Sequence, residues 1–513
     1  MKIALYTIGI GILLCCMACS DLLDVNPKNS VTFSNAMQTE REIEVGLTSV
    51  EKRIRDYTQD PFRMKPAHAG RYASSVYGKN EQTLEQQASF AVVNWDNLYR
   101  IIASANMILP YIDQVKMSQE RKDFYKGQIY FFKAFCYFEL IRRWGDCPYI
   151  GNHIEMQPIA KSSWTTVADS AICMAQMASY LLPELSQAKN SNGAQIQYKS
   201  TPVKGAANTL LAHLCAWKAG CKYLAKPEES DYNERELWEM AETACSDVIW
   251  SKEYELAETP EEICTEVLVD GGKEGIFLSI FRNFWSEVSA FAPNYYARVY
   301  TTYPVKPMVG PGEYRGYEAI SYDDVKKMYT VKDMRRNSYF FKPDSMNVKV
   351  VGSGGYPLYK DAFLYKWRKC VLITAGNDKG KFANFDQDYI WWRLADVILL
   401  RAECRCRLGN KTGAISDLND IRKRANAPKY SSTEYAGDLQ RAIFKEREKE
   451  LLLEECRYFD IIRNNYRKLE LRGNYVTYDE QDFIDGAFWN AVSSSAFDRN
   501  TLMRQNTFWL KRL

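Results

Sequence analysis

Three glutamates spaced four residues apart, Glu446, Glu450 and Glu454, stand in the stretch RAIFKEREKELLLEECRYFDIIR beside Arg447, Arg457, Asp460 and Arg463. Carboxylates in pairs can work as general acid and base. On one helix, though, this spacing puts three like charges on one face, where each pair repels by a few tenths of a kcal/mol unless cations face it. Arg393 and Arg401 in one neighbouring segment and Arg422 and Arg424 in another are within reach. The charges are therefore read as an inter-helix ion-pair network, and no spacing singles out a catalytic pair. Other reactive side chains are sparse. The histidines are His68, His153 and His213, few for a zinc site or a His-dependent triad. Of the 14 cysteines, Cys15 and Cys16 fall in an N-terminal leader and Cys19 has a separate role, leaving an odd number with no CxxC pair. Cys136, Cys173, Cys215, Cys245, Cys404 and Cys456 lie in helical patterns, where a free thiol is a small hydrophobe.

The elements that must position these charges run from Tyr389 to Arg463. Trp391, Leu394, Ala395, Ile398 and Ala402 recur at helical spacing, Gly409 ends that helix, and Thr412 is placed to cap the next. Ala414, Leu418, Ile421 and Ala425 form a second stripe that stops before Pro428, and Ala402 and Ala414 let the two helices approach closely. A third helix continues to Arg463. Further stripes cover Ala36 to Tyr57, Trp95 to Leu109, Phe131 to Ile141, Thr166 to Leu182, Ala207 to Trp217 and Trp238 to Val248. The predicted fold is mainly α: about four tetratricopeptide-like hairpins stacked around one continuous core, leaving a broad face free for insertions. Between Gly275 and Asn384 the helical period is lost. IFLSIF reads as a strand, and the aromatic, Pro- and Gly-containing sequence after it reads as a loop-rich insert with short strands.

RLADVILLRAE, AISDLNDIRKRA and EREKELLLEECRYFDIIR resemble the signature of the SusD/RagB family, the surface nutrient-binding lipoproteins of Bacteroidetes. The match extends to WDNLYRIIASANMILPYID, to the helix that ends in RRWGDCPYI, and to the C-terminal run Asn500 to Asn506, which has one residue more between Leu502 and Gln505 than the family's form. The resemblance implies a helical scaffold, no catalysis, no cofactor and a partner TonB-dependent transporter of the SusC kind. It also divides the chain: residues 1–18 a lipoprotein signal peptide, 19–34 a lipidated tether, and 35–513 one domain. Within that domain the scaffold occupies 35–274 and 385–465, the ligand-side insert about 275–384, and a C-terminal segment 466–513.

The rest of the sequence agrees with export. One lysine, the apolar run Ile3 to Leu14 and then CCMACS make a leader too short to span a membrane. Cys19 follows Ala18 as a lipoprotein acceptor, with Cys16 where Leu is usual. The expected location is the outer membrane, lipid-anchored and facing the cell surface; a secreted protein with a cleaved leader is the alternative. A net charge of +3 without a dense Lys/Arg block argues against nucleic acid. With 34 Tyr and 12 Trp, the chain has ample rings to pack on the C–H faces of sugars. In the resembling family, loops carrying aromatic and a few polar groups hold the ligand. The candidates here are Arg71, Tyr72 and Tyr77 in the first irregular segment and Arg282, Trp285, Asn294, Tyr295 and Tyr296 in the insert. An oligosaccharide is the expected ligand; an oligopeptide, as in the RagB type, and a surface glycan hydrolase are the alternatives.

Overall fold

Ile43, Leu47, Val50 and Ile54 recur every three or four residues along α1 (Glu40–Thr58), and all four are buried. They pack against the matching stripe of α2 (Asp96–Gln114). The computed structural model describes residues 37–58, 94–281, 301, 303–306, 320–345, 348–351, 357–471 and 474–512. The helix α3 (Gln119–Trp144) is buried almost all round from Phe124 onward, which makes it the axis of the scaffold. Ser118 caps its start, and Gly145 ends it at φ 69, where a Cβ would lie 2.5 Å from the ring of Trp489. α4 (Trp164–Leu181), α5 (Lys204–Gly220) and α6 (Glu234–Trp250) follow.

The insert begins with β1 (Gly275–Ser279) and contains β2 (Ile320–Ser321), α7 (Tyr322–Met328), α8 (Arg335–Tyr339), β3 (Val348–Val351), β4 (Pro357–Ala362), β5 (Cys370–Leu372) and β6 (Phe382–Phe385). The strands β2, β4 and β3 form one small antiparallel sheet and β5 and β6 another. The chain returns to the scaffold through β7 (Tyr389–Arg393), α9 (Leu394–Arg407), α10 (Lys411–Arg424), α11 (Leu439–Glu450) and α12 (Arg457–Arg463). Each helix packs on the next in the order α1 to α6, then α9 and α10, so four hairpins share one core that reaches from Ile43 to Trp509. This is the expected tetratricopeptide-like stack. A smaller core, including Val325, Tyr329, Phe340 and Trp367, holds the insert against Leu452 and Leu453.

Four local expectations are corrected. Tyr389 to Arg393 is a strand rather than the first turn of a helix. It pairs antiparallel with β1, with Leu278 opposite Ile390 and Ser279 opposite Tyr389, so Trp391 lies on the sheet and the helix starts at Leu394. The third helix is two helices. Leu453 and Glu455 adopt φ 58 and φ 66 between them, and side chains from elsewhere in the chain satisfy the carbonyls at this break. Lys366 Nζ donates to the Leu452 carbonyl at 2.8 Å, and Arg393 Nη2 donates to that of Glu450 at 2.9 Å. The cap of α10 is Asn410, whose side chain accepts from the Gly413 N–H at 3.0 Å, and not Thr412. Cys456 sits in the turn between α11 and α12, and Cys173 is exposed, so neither packs as a helical core residue. Among the described residues every cysteine is unpaired.

Candidate functional site

The carboxylates that could have done acid–base chemistry are enclosed by cations. Arg393 on β7 reaches Glu274 at 2.6 Å, Glu450 at 2.9 Å and Glu454 at 2.8 Å. Arg424 bonds Glu450 at 2.5 Å and Glu274 at 3.1 Å, and Arg335 from the insert bonds Glu446 at 2.7 Å. Arg422 holds the other oxygen of Glu446 at 2.8 Å, and Lys366 holds Glu454 at 2.6 Å. Burial alone would push these three carboxyls up; the facing arginines, with Lys366 at Glu454, overcome it and keep all of them below the usual range. A carboxylate held ionised between cations has no proton to donate. The inter-helix network is therefore as expected for Arg393, Arg422 and Arg424, with Glu274 and Arg335 as members the sequence did not suggest. Arg401 is the exception: it pairs with Asp417 on α10, at 2.7 Å, rather than with the glutamates.

Next to this lattice is a pit of about 40 Å³, lined by Tyr389, Trp391 and Trp392 of β7, by Phe138, Arg142 and Arg143 of α3, by His213 and Trp217 of α5, and by the turn at Glu454 to Cys456. Arg142 lies between two rings, 3.9 Å from the centroid of Phe138 and 4.2 Å from that of Phe459, and pairs with Glu139. Trp217 stands edge-on to Phe459 at 5.9 Å. The rim, formed by Arg142, Trp391 and Glu454 to Cys456, is mostly buried, with the Arg142 side chain 15% exposed. His213 Nε2 lies 2.9 Å from Asp396 Oδ2, and Arg447 Nη2 holds the other oxygen of Asp396 at 2.6 Å. Burial would raise the Asp396 carboxyl, but His213 and Arg447 outweigh it and keep it ionised. Cys456 shares the pit, yet burial pushes its thiol well above the usual range, so it offers no thiolate nucleophile.

All eight predicted ligand residues, Arg71, Tyr72, Tyr77, Arg282, Trp285, Asn294, Tyr295 and Tyr296, and the acceptor Cys19, lie outside the described residues. What the structure shows is where the two candidate segments start. The last turn of α1 leads into the first segment, and there the Tyr57 ring stacks on Trp391 with centroids 6.4 Å apart and an interplanar angle of 7°. Arg55 lies 5.9 Å over the ring of Phe281, the residue that leads into the second segment. Phe281 packs with Tyr389, and its N–H donates to Asp388 Oδ1 at 2.7 Å. The far end of the first segment arrives at Trp95, whose ring meets Trp144 at 6.0 Å, while Tyr57 O–H donates to Glu139 at 3.0 Å. Three stems thus converge on the last turns of α3, over the pit. The sequence reading missed Tyr57, Trp391 and Arg142 as parts of this place. A two-residue alternation in YIWW, with Tyr389 and Trp391 on one face, was the signal that could have found the strand.

A scaffold of stacked hairpins, with the stems of two segments meeting beside a polar, ring-lined pit, is of the tetratricopeptide-like class. Comparison with known proteins gives the family. A family model described as "SusD family" matches residues 291–509, and one described as "Starch-binding associating with outer membrane" matches residues 21–215. SusD-like proteins P38 and P25 of Formosa agariphila are each 24% identical to this chain, over 93% and 90% of both partners' lengths. A SusD homolog from Bacteroides thetaiotaomicron has the same fold, with a TM-score of 0.73 and 22% identity over 92% of this chain and 99% of that one. A SusD-like carbohydrate binding protein from Bacteroides vulgatus superposes with a TM-score of 0.61 at 19% identity, over 83% of this chain and 84% of its own. The chain belongs to the SusD/RagB family.

Proposed function

We propose that the protein is a surface-anchored binding protein that captures an oligosaccharide and passes it, unaltered, to a SusC-like TonB-dependent transporter of the outer membrane. The observation that supports this most is the convergence of the two segment stems on Trp391, Phe281 and the end of α3. A rigid shelf of this kind lets loops vary in sequence while their starting points stay fixed. The matched family descriptions, which name starch binding and outer-membrane association, support the same reading. In this proposal Arg71, Tyr72, Tyr77, Arg282, Trp285, Asn294, Tyr295 and Tyr296 touch the ligand: rings against C–H faces, Arg and Asn to hydroxyls. Residues 1–18 are removed, Cys19 is acylated, and residues 19–34 tether the body. No helix among the described residues is long and apolar enough to cross a membrane, and the proposed anchor is the acyl chains on Cys19.

Arrays of glycans and peptides, followed by calorimetry of Trp285→Ala and Tyr296→Ala, test the reading. Retention of a glycan and at least a tenfold loss of affinity in one variant, about 1.4 kcal/mol, are expected. Undiminished affinity in both variants eliminates these contacts. Retention of peptides alone replaces the ligand class, and release of cleaved product replaces binding by turnover.

A further inference from the structure

Two residues that line the pit each carry a buried N–H with no partner among the described residues: Trp217 at its indole Nε1 and Arg142 at its Nε. Trp217 is 1% exposed, so its N–H has no bulk water to turn to. The wall carries four guanidinium groups and four carboxylates, so the pit as a whole asks for no net charge. Its volume of about 40 Å³ takes two or three water-sized groups and no more, since one such group fills roughly 15 Å³ by this measure. The rim reaches solvent at partly exposed Arg142 and Trp391, beneath the Tyr57 stem that stacks on Trp391.

We infer that the pit is a pre-formed subsite for one neutral hydroxyl group of the ligand, whose oxygen accepts from Trp217 Nε1–H and Arg142 Nε–H. Two unpaired donors call for an acceptor. An ammonium brings only further donors, and a carboxylate enters a wall whose positive charge is already matched, with Glu454 and Glu455 at the rim. A hydroxyl, or a hydroxymethyl arm, satisfies both the chemistry and the size. This rests on the binding reading above and deepens it: the ligand is a polyol, and one of its hydroxyls is buried below the loops.

The test is ¹⁵N-indole spectroscopy of the full chain, with the Trp217 resonance assigned by its loss in Trp217→Phe. Glycerol, acetate and methylammonium are added at matched concentration. Glycerol is expected to move the Trp217 indole N–H downfield, with acetate and methylammonium leaving it in place. In Arg142→Met the apparent glycerol affinity is expected to fall about five- to tenfold, the loss of one hydrogen bond. A Trp217 resonance that glycerol does not move means that water alone takes the place, and it overturns the inference. Equal shifts with all three probes overturn it as well. The glycan reading fails separately: a wild-type chain that retains no glycan on an array while glycerol still moves Trp217 loses its proposed nutrient but keeps the hydroxyl site.

Discussion

The charge lattice around Glu450 and the pit around Arg142 lie side by side, share Glu454, and are built from the same residue types in opposite ways. In the lattice, every carboxylate of α11 that faces inward meets at least two cations, from β7, α10 and the insert. In the pit, arginine is steadied by rings, and donors are left over. A buried charge with full pairing has nothing left for a ligand, so its work is to fix how three elements meet. A buried donor without a partner is costly to the fold, and a site that tolerates the cost has a partner to gain from outside. The lattice is therefore read as structure, while the pit joins unpaired donors to a rim beneath the segment stems, the combination on which the proposed subsite rests.

The largest effect should come from breaking the lattice at its centre. Glu450→Gln leaves Arg393, Arg424 and Arg335 short of a shared anion, and a loss of about 3–5 kcal/mol in unfolding free energy is expected from chemical denaturation. Arg393→Lys comes next. The guanidinium fork meets Glu274, Glu450, Glu454 and a backbone carbonyl, which an ammonium cannot span, and the expected loss is about 2–4 kcal/mol. A melt within experimental error of wild type for either variant would erase the contrast between the two regions.

Acid probes the same contrast more gently. Burial raises the Glu448 carboxyl, but Arg457 and Lys445 overcome this and bring it from 4.5 down to about 2. A carboxyl depressed in the folded state stabilises the fold above its unfolded value, and that stabilisation is lost as the pH falls from about 4.5 through about 2. Denaturation midpoints should therefore decline across this window, and Glu448→Gln should decline less steeply. An unchanged slope in the variant would mean that other carboxylates carry the whole response.

Much of this was legible in the sequence because helical periodicity reports burial directly: the stripes of α2, α3, α5, α6, α9 and α10 are the buried faces, and Gly409 and Gly145 end helices as read. What escaped depends on partners far away in the chain. Trp391 fitted a helical stripe with Leu394 and Ile398 by spacing alone, and only the pairing of β7 with β1, more than a hundred residues earlier, makes it a strand. The break after Glu450 is equally invisible locally, since LLLEEC suits a helix. Lys366 and Arg393, distant in the chain, satisfy the Leu452 and Glu450 carbonyls at the break. For the site, aromatic content pointed to two segments whose candidate residues lie outside the described residues, and the meeting of Tyr57, Phe281 and Trp391 at their stems is a property of the stack, which no single stretch encodes.

The smallest expected change in stability is also the sharpest test of the comparison. Arg142→Lys keeps a cation beside Glu139 and over the rings of Phe138 and Phe459, where an ammonium still gains from the aromatic faces. The side chain is partly exposed, so screening softens whatever the pairing loses, and a cost below about 1 kcal/mol is expected. Affinity should respond differently. The substitution removes an Nε–H on a pit-lining residue that has no partner among the described residues, so binding of a glycan retained on the array should weaken about five- to tenfold in calorimetry while the melt barely moves. In Arg393→Lys the order reverses, with a large loss of stability and, in the fraction that stays folded, unchanged affinity. If Arg142→Lys destabilises as much as Arg393→Lys, the pit is one more piece of lattice and the distinction drawn between paired and unpaired arginines fails.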